Sequence, residues 1–90
     1  DANNYDALYQ MGAYYYNDAV EIKKQVNGMD MNEYKKTGKD LEAKLAAKYH
    51  EALPYFERGF KVKKDEDLKE ILKQVYRELK DEAKLAELEK

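Results

Sequence analysis

A chain of 90 residues forms one small domain, and a domain of this size buries only about 60 to 65% of the surface that its unfolded chain exposes. Its 17 basic and 19 acidic side chains give a formal net charge of -2. We therefore expect binding to neither nucleic acid nor an anionic membrane surface, since both require a clustered basic field. The chain has no cysteine, which excludes disulfides and thiol-ligated metals, and no apolar run of the roughly 18 residues needed for membrane insertion.

Three short lysine clusters stand out from this mixed charge. Each is interpreted either as a phosphate-binding patch or as a solvated helix end, and the second interpretation is favoured because the chain has no block of charges of a single sign. The clusters are Lys23 with Lys24, Lys35 with Lys36, and the lysines of residues 61–64.

The first predicted element is a long amphipathic helix over about residues 4–27. Asn3 or Asn4 can cap its start, Asp6 suits the positive end of the helix dipole, and Gly28 can cap its end. Apolar and small residues recur at helical spacing over about five turns. They are Leu8, Met11, Gly12, Tyr15, Ala19, Ile22 and Val26.

The stretch from Met29 to Lys39 has no apolar period, which predicts a connection with at most a helical turn at residues 32–36. Thr37 or Asp40 would then cap a second helix over about residues 40–63. Pro54 lies inside this helix, where it removes a backbone donor and predicts a kink; a break is disfavoured because the stripe continues in phase. The stripe is Leu41, Leu45, Tyr49, Ala52, Phe56 and Phe60.

A charged turn precedes the third predicted helix, over about residues 67–80. Asp65 or Asp67 would cap it, and Glu70 has capping-box spacing from Asp67. Residues 81–89 predict a short fourth helix or a bent extension of the third. The expected fold class is therefore all-α: one domain over residues 1–90, built of antiparallel helical hairpins with three long helices and a short C-terminal one.

Small residues lie beside large ones on the first two helices, which lets the helices approach closely. The sets are Leu8, Met11, Gly12 and Tyr15, then Ala52, Phe56 and Gly59, and they resemble the tetratricopeptide repeat. Residues 72–76 resemble the start of another repeat, and residues 1–4 resemble a repeat boundary. These residues, with Leu72 and Tyr76, are the expected repeat-packing set.

The spacing departs from the usual repeat. Tyr15 and Ala52 are 37 residues apart, which is more than the whole repeat length of about 34 residues. Both helices are thus elongated, and in this they resemble the C-terminal repeats of exported proteins of Bacteroidetes-type bacteria. The resemblance implies the C-terminal fragment of a longer solenoid and a periplasmic or exported location, although the residues alone suit the cytoplasm equally well.

The resemblance also implies a non-enzymatic scaffold that binds a protein or peptide on the concave face formed by first helices. The candidate partner-binding residues are Asp6, Tyr9, Ala13, Tyr16 and Asn17 on the first helix, and Asp67, Glu70, Gln74 and Arg77 on the third. Nine tyrosines suit such a surface, because the ring is apolar and the hydroxyl tolerates partial wetting.

No residue pattern predicts catalytic chemistry, a cofactor or a metal. His50 is the one histidine, and the residues one turn away from it are Ala46 and Pro54, which ligate no metal. The chain has no serine nucleophile and no glycine-rich phosphate loop. Its carboxylates alternate with lysines as on a solvated helix face.

Gly12 lies inside a helix at a cost of about 1 kcal/mol relative to alanine, which predicts close approach of Tyr49 or Phe56. A solenoid needs about three repeats for stability, so we expect this chain, with fewer, to self-associate as a dimer that covers Leu8, Tyr5 or Tyr9. The rival interpretation is a structural helical bundle or coiled-coil dimerisation domain without a peptide ligand. Small residues interrupt the large side chains that a coiled coil prefers.

Overall fold

A computed structural model describes residues 4–90 as a set of α-helices, without a β-strand in that range. The all-α fold class, with three long helices and a short C-terminal one, is confirmed. Asn3 and the repeat boundary at residues 1–4 fall wholly or mostly outside the described residues. The elements are α1 (Tyr5–Asn27), α2 (Met31–Glu33), a π-helical segment (Tyr34–Gly38), α3 (Lys39–Val62), α4 (Glu66–Glu78) and α5 (Glu82–Glu89).

Side-chain caps begin the helices close to where the sequence predicts them. The Asn4 side chain accepts a hydrogen bond from the Ala7 N–H at 3.1 Å, and Gly28 is the C-terminal cap of α1. The Asp65 carboxylate accepts from the N–H groups of Asp67 and Leu68 at 2.8 and 3.4 Å. Asp65 is therefore the cap of α4, and the alternative cap Asp67 lies within its first turn.

The predicted connection at residues 29–39 is wrong, because the chain is helical from residue 31 onward. Asp30 caps this helix by accepting from the Glu33 N–H at 2.8 Å, and residues 31–62 then continue without a break. Thr37 and Asp40 consequently cap nothing, and the Thr37 hydroxyl instead donates to the Glu33 carbonyl at 3.3 Å. The buried Gly38 lies against the Tyr34 ring, a close local contact within a segment that lacks an apolar stripe.

Pro54 is an exposed residue within α3, and the helix passes through it to Val62. The predicted continuity is thereby confirmed, while the kink stays a prediction. Leu53 and Phe56 on either side are both buried, so the packed face of α3 compensates for the hydrogen bond that proline cannot donate.

The hairpin of α1 and α3 forms around a glycine and a phenylalanine. A Cβ atom added to Gly12 would lie 2.6 Å from the fully buried Phe56 ring, so only glycine leaves room for it. Further along, Gly59 lies near Leu8, and Asp18 pairs with Lys48 at 3.7 Å. The pairing of early residues of α1 with late residues of α3 makes the two helices antiparallel.

Helix α4 packs against α3 and contributes to the same core. Its Leu68, Leu72 and Val75 side chains are at most 1% exposed. The end of α4 is a left-handed turn, in which Lys80 has φ of 58° and the Asp81 N–H donates to the Tyr76 carbonyl at 2.9 Å. α5 is therefore a separate helix rather than an extension of α4.

We predict that Gly12→Ala lowers the free energy of unfolding by about 1 to 3 kcal/mol, because the new methyl group overlaps the Phe56 ring. Gly59→Ala is the matched control, since an added Cβ there has its nearest neighbour at an ordinary 3.5 Å. That variant should keep or raise stability through helix propensity. Urea unfolding followed by circular dichroism measures both; equal stability of the two variants would contradict the close approach.

Candidate functional site

Helices α1 and α4 border a shared surface, the α1–α4 groove. At one end the Lys23 ammonium pairs with the Glu78 carboxylate at 2.9 Å, and Gln74 donates to the other Glu78 oxygen at 3.3 Å. At the opposite end Asp6 and Asp67 line a common cavity. Lys23 and Glu78 are 55 residues apart, and no local sequence signal pairs them.

Two tyrosines of the predicted binding set form the aromatic wall of this groove. The Tyr9 and Tyr16 rings meet the Phe56 ring edge-on, at centroid distances of 5.9 and 6.1 Å. The ring centroids of Tyr16 and Tyr49 are also 6.1 Å apart. Both wall residues are half-buried, and burial followed by the nearby Glu78 charge raises the pKa of Tyr16. They therefore support the core while part of each stays accessible.

The acidic end of the groove is a cavity of about 240 Å³ between the first turns of α1 and α4. Burial, then the charge of Asp65 and other neighbours, raises the pKa of Tyr5 in this cavity. The Lys63 ammonium lies 5.3 Å from the Tyr5 ring centroid, in a cation–π contact. The lining residues are Tyr5, Asp6, Tyr9, Gln10, Asp65 and Asp67.

The remaining binding candidates are dispersed. Ala13 is half-buried against the core, and Asn17 is exposed. The exposed Glu70 pairs with Lys73 at 3.5 Å within α4. Arg77 is directed to α5, where it pairs with Glu89 at 3.9 Å. The structure thus places Asp6, Tyr9 and Asp67 around one cavity. Tyr16 and Gln74 lie near Glu78 instead, at the other end of the α1–α4 groove, and Arg77 is connected to a different helix.

Most of the predicted packing residues are buried, with two departures. Tyr15 is half-buried and stacks on Tyr55 at 5.9 Å. Met11 is 43% exposed, so it packs little within the described residues, and its role in repeat packing stays a prediction. The reason is that α3 covers the strip through Gly12, and Met11 lies on the flank beside that strip. The buried members are Leu8, Gly12, Ala52, Phe56, Gly59, Leu72 and Tyr76.

The flank of α1 and α3 away from α4 carries an apolar patch, called here the outer face: Met11, Tyr14, Tyr15 and Tyr55. Tyr14 is 64% exposed and meets the Tyr15 ring edge-on at 5.3 Å. Of the residues expected at a dimer contact, Leu8 is only 5% exposed, which contradicts its part in that contact. Tyr5 and Tyr9 are half-buried, so a dimer contact through them stays a prediction.

A buried tyrosine joins three elements beyond the groove. The Tyr76 hydroxyl donates to the Glu57 carboxylate at 2.6 Å, and the Lys84 ammonium lies 3.4 Å from the same oxygen. Burial and then this hydrogen bond raise the pKa of Tyr76 far above its usual range. Burial, with the Glu78 charge, raises the pKa of Tyr49 to about 12.

Within residues 4–90, no group of three or more histidine or carboxylate side chains is arranged to hold a metal ion. No helix of this range combines the length and the apolar character needed to cross a membrane. Comparison with known protein families, with characterised proteins and with solved structures finds no match for this chain.

The raised pKa of Tyr49 predicts alkaline destabilisation. Burial favours the neutral form of the Tyr49 phenol. The stability that this gives is complete below the pKa of about 10 that the phenol has in the unfolded chain, and it is lost as the pH rises through the higher pKa of the folded chain. We predict that the unfolding free energy falls between about pH 9 and pH 11, and that it falls less in Tyr49→Phe.

Urea unfolding at both pH values measures the effect, and Tyr14→Phe, a change at an exposed site, is the matched control. An equal alkaline loss in wild type and Tyr49→Phe would contradict the assignment.

Proposed function

We propose that this chain is a non-enzymatic scaffold of the tetratricopeptide type, which binds a protein or peptide segment in the α1–α4 groove. The observation that carries the proposal is the wall formed by Tyr9 and Tyr16. Each ring is fixed on Phe56 and is still partly accessible. The resemblance of the first two helices to the tetratricopeptide repeat supports the same proposal. It also supports an exported location.

Rigid tyrosines suit this role because they offer a large contact area with little conformational entropy left to lose. The groove adds polar groups at fixed places, namely the Gln74 amide beside Glu78 and the carboxylates of Asp6 and Asp67. A peptide side chain can cover the rings while its backbone amides meet these polar groups. Hot spots of this kind, with aromatic anchors inside a polar rim, are typical of protein interfaces.

The test is selection of peptides from a random display library, followed by NMR mapping of the selected peptide. We expect amide shifts along α1 and α4, and at least about a tenfold loss of affinity in Gln74→Arg, which places a long cation in the groove. Gln25→Arg makes the same change at an exposed site near the end of α1. Equal affinity of the two variants, or shifts confined to other surfaces, would contradict the proposal.

Alanine substitution of Tyr9 or Tyr16 makes a poorer test. Each ring packs on Phe56, so its removal would also open the core. Tyr9→Phe and Tyr16→Phe keep the packing and remove only the hydroxyl groups. They report whether the hydroxyl groups contribute to binding.

The outer face favours the second candidate function, a structural module that associates with itself. Met11 and Tyr14 together expose an apolar surface at the flank of α1 that the described residues leave uncovered. A two-fold pairing of this face would bury both side chains against their copies. The resulting dimer would leave the α1–α4 groove open, because the two surfaces share no residue.

We predict that the wild-type chain dimerises at high concentration and that Met11→Glu restores the monomer, because the carboxylate would be buried in the contact. Met31→Glu is the control, since Met31 is 73% exposed in α2, outside the outer face. Size-exclusion chromatography with light scattering measures both. A wild-type monomer at every concentration, or the same effect in both variants, would exclude this dimer.

A further inference from the structure

A cavity of about 550 Å³ lies between the C-terminal half of α3, α4 and α5. It shares no lining residue with the acidic cavity of the α1–α4 groove. Its apolar floor combines the buried Leu72 and Tyr76 with the half-buried Phe60 and Leu88. A cavity of this size lies within the range that holds a ligand or a large side chain.

This cavity is called here the lysine cleft, because its rim carries positive charge. Five lysines line it beside two glutamates, although the whole chain has a formal net charge of -2. Residues 61–64 contribute two of these lysines, so the cluster noted in the sequence meets other cations from α4 and α5 in space. The lysines are Lys61, Lys64, Lys69, Lys84 and Lys90.

The two carboxylates of the cleft, Glu57 and Glu87, can neutralise at most two of its five lysines. Glu57 is already engaged by the Tyr76 hydroxyl at 2.6 Å and by Lys84 at 3.4 Å. Among the ion pairs of residues 4–90, none includes Lys61 or Lys64, and both side chains belong to exposed residues. Cations without internal partners above an apolar floor complement a ligand that is both anionic and apolar.

We infer that the lysine cleft binds an acidic peptide segment that carries one large apolar side chain. The apolar side chain covers Phe60 and Leu88, and flanking carboxylates pair with Lys61, Lys64 and Lys69. A phosphate group alone would leave the apolar floor uncovered. The lysines are also spread over α3, α4, α5 and the residues that follow α3 and α5, rather than focused on one point, which suits several carboxylates along a chain. This site is independent of binding in the α1–α4 groove.

The probe is a synthetic, dye-labelled peptide of aspartate and glutamate residues around one central phenylalanine, with binding followed by fluorescence polarisation. We expect the affinity to fall with ionic strength, and to fall at least about tenfold when Lys61→Glu and Lys64→Glu are combined. The matched control is Lys35→Glu with Lys36→Glu, the same charge change on exposed residues of the π-helical segment. The control should retain binding.

Two further probes separate the contribution of the apolar side chain from that of the negative charges. Glycine in place of the phenylalanine should weaken binding, and inorganic phosphate at matched ionic strength should not displace the labelled peptide. Gln74→Arg in the groove should bind the probe as wild type does, so failure of one site is distinguishable from failure of the other. Lys64→Gln is a milder second variant, and circular dichroism verifies its fold.

Four results would overturn the inference: no binding of the probe by wild type, equal loss in both double variants, equal affinity of the glycine peptide, or full displacement by phosphate. Equal loss would indicate a response to net charge, and the last two results would indicate an anion site without apolar recognition. Retained binding in Lys61→Glu/Lys64→Glu would likewise place the peptide elsewhere.

Discussion

The approach of Phe56 to Gly12 is the contact on which the other features of this structure depend. The absence of a side chain at Gly12 lets the buried ring lie directly against α1, which sets the distance between the two longest helices. The same ring supports Tyr9 and Tyr16, so one contact holds both the hairpin and the aromatic wall of the groove. Core packing and the candidate binding surface are therefore not separable here.

The surfaces around this core differ in chemistry although the chain as a whole is nearly neutral. The α1–α4 groove is aromatic with carboxylates at one end, the lysine cleft is apolar with a cationic rim, and the outer face is apolar. Charges that alternate along the sequence thus separate in space, because the fold gathers lysines at the cleft and carboxylates at one end of the groove. Such segregation gives one small domain separate surfaces of opposite charge.

The parts of the fold that the sequence predicts well are those with local signals. Asn4 and Asp65 cap helices whose apolar periods are clear, and their bounds agree closely with the structure. Residues 29–39 lack such a period, yet they are helical from residue 31, with the Asp30 cap and the close contact of Tyr34 with Gly38 as their local interactions. The exposure of Met11 depends on which helices pack beside it, and the lysine cleft depends on the turn at Lys80 that places α5. A helical period predicts neither of these tertiary features.

The most direct test of the account is a nuclear Overhauser measurement between the Gly12 α protons and the ring protons of Phe56. The account predicts strong cross-peaks, because the ring fills the space that a side chain at Gly12 would occupy. It also predicts cross-peaks from the same ring to Tyr9 and Tyr16. Absence of the Gly12 cross-peaks, with contacts from these α protons to water instead, would contradict it.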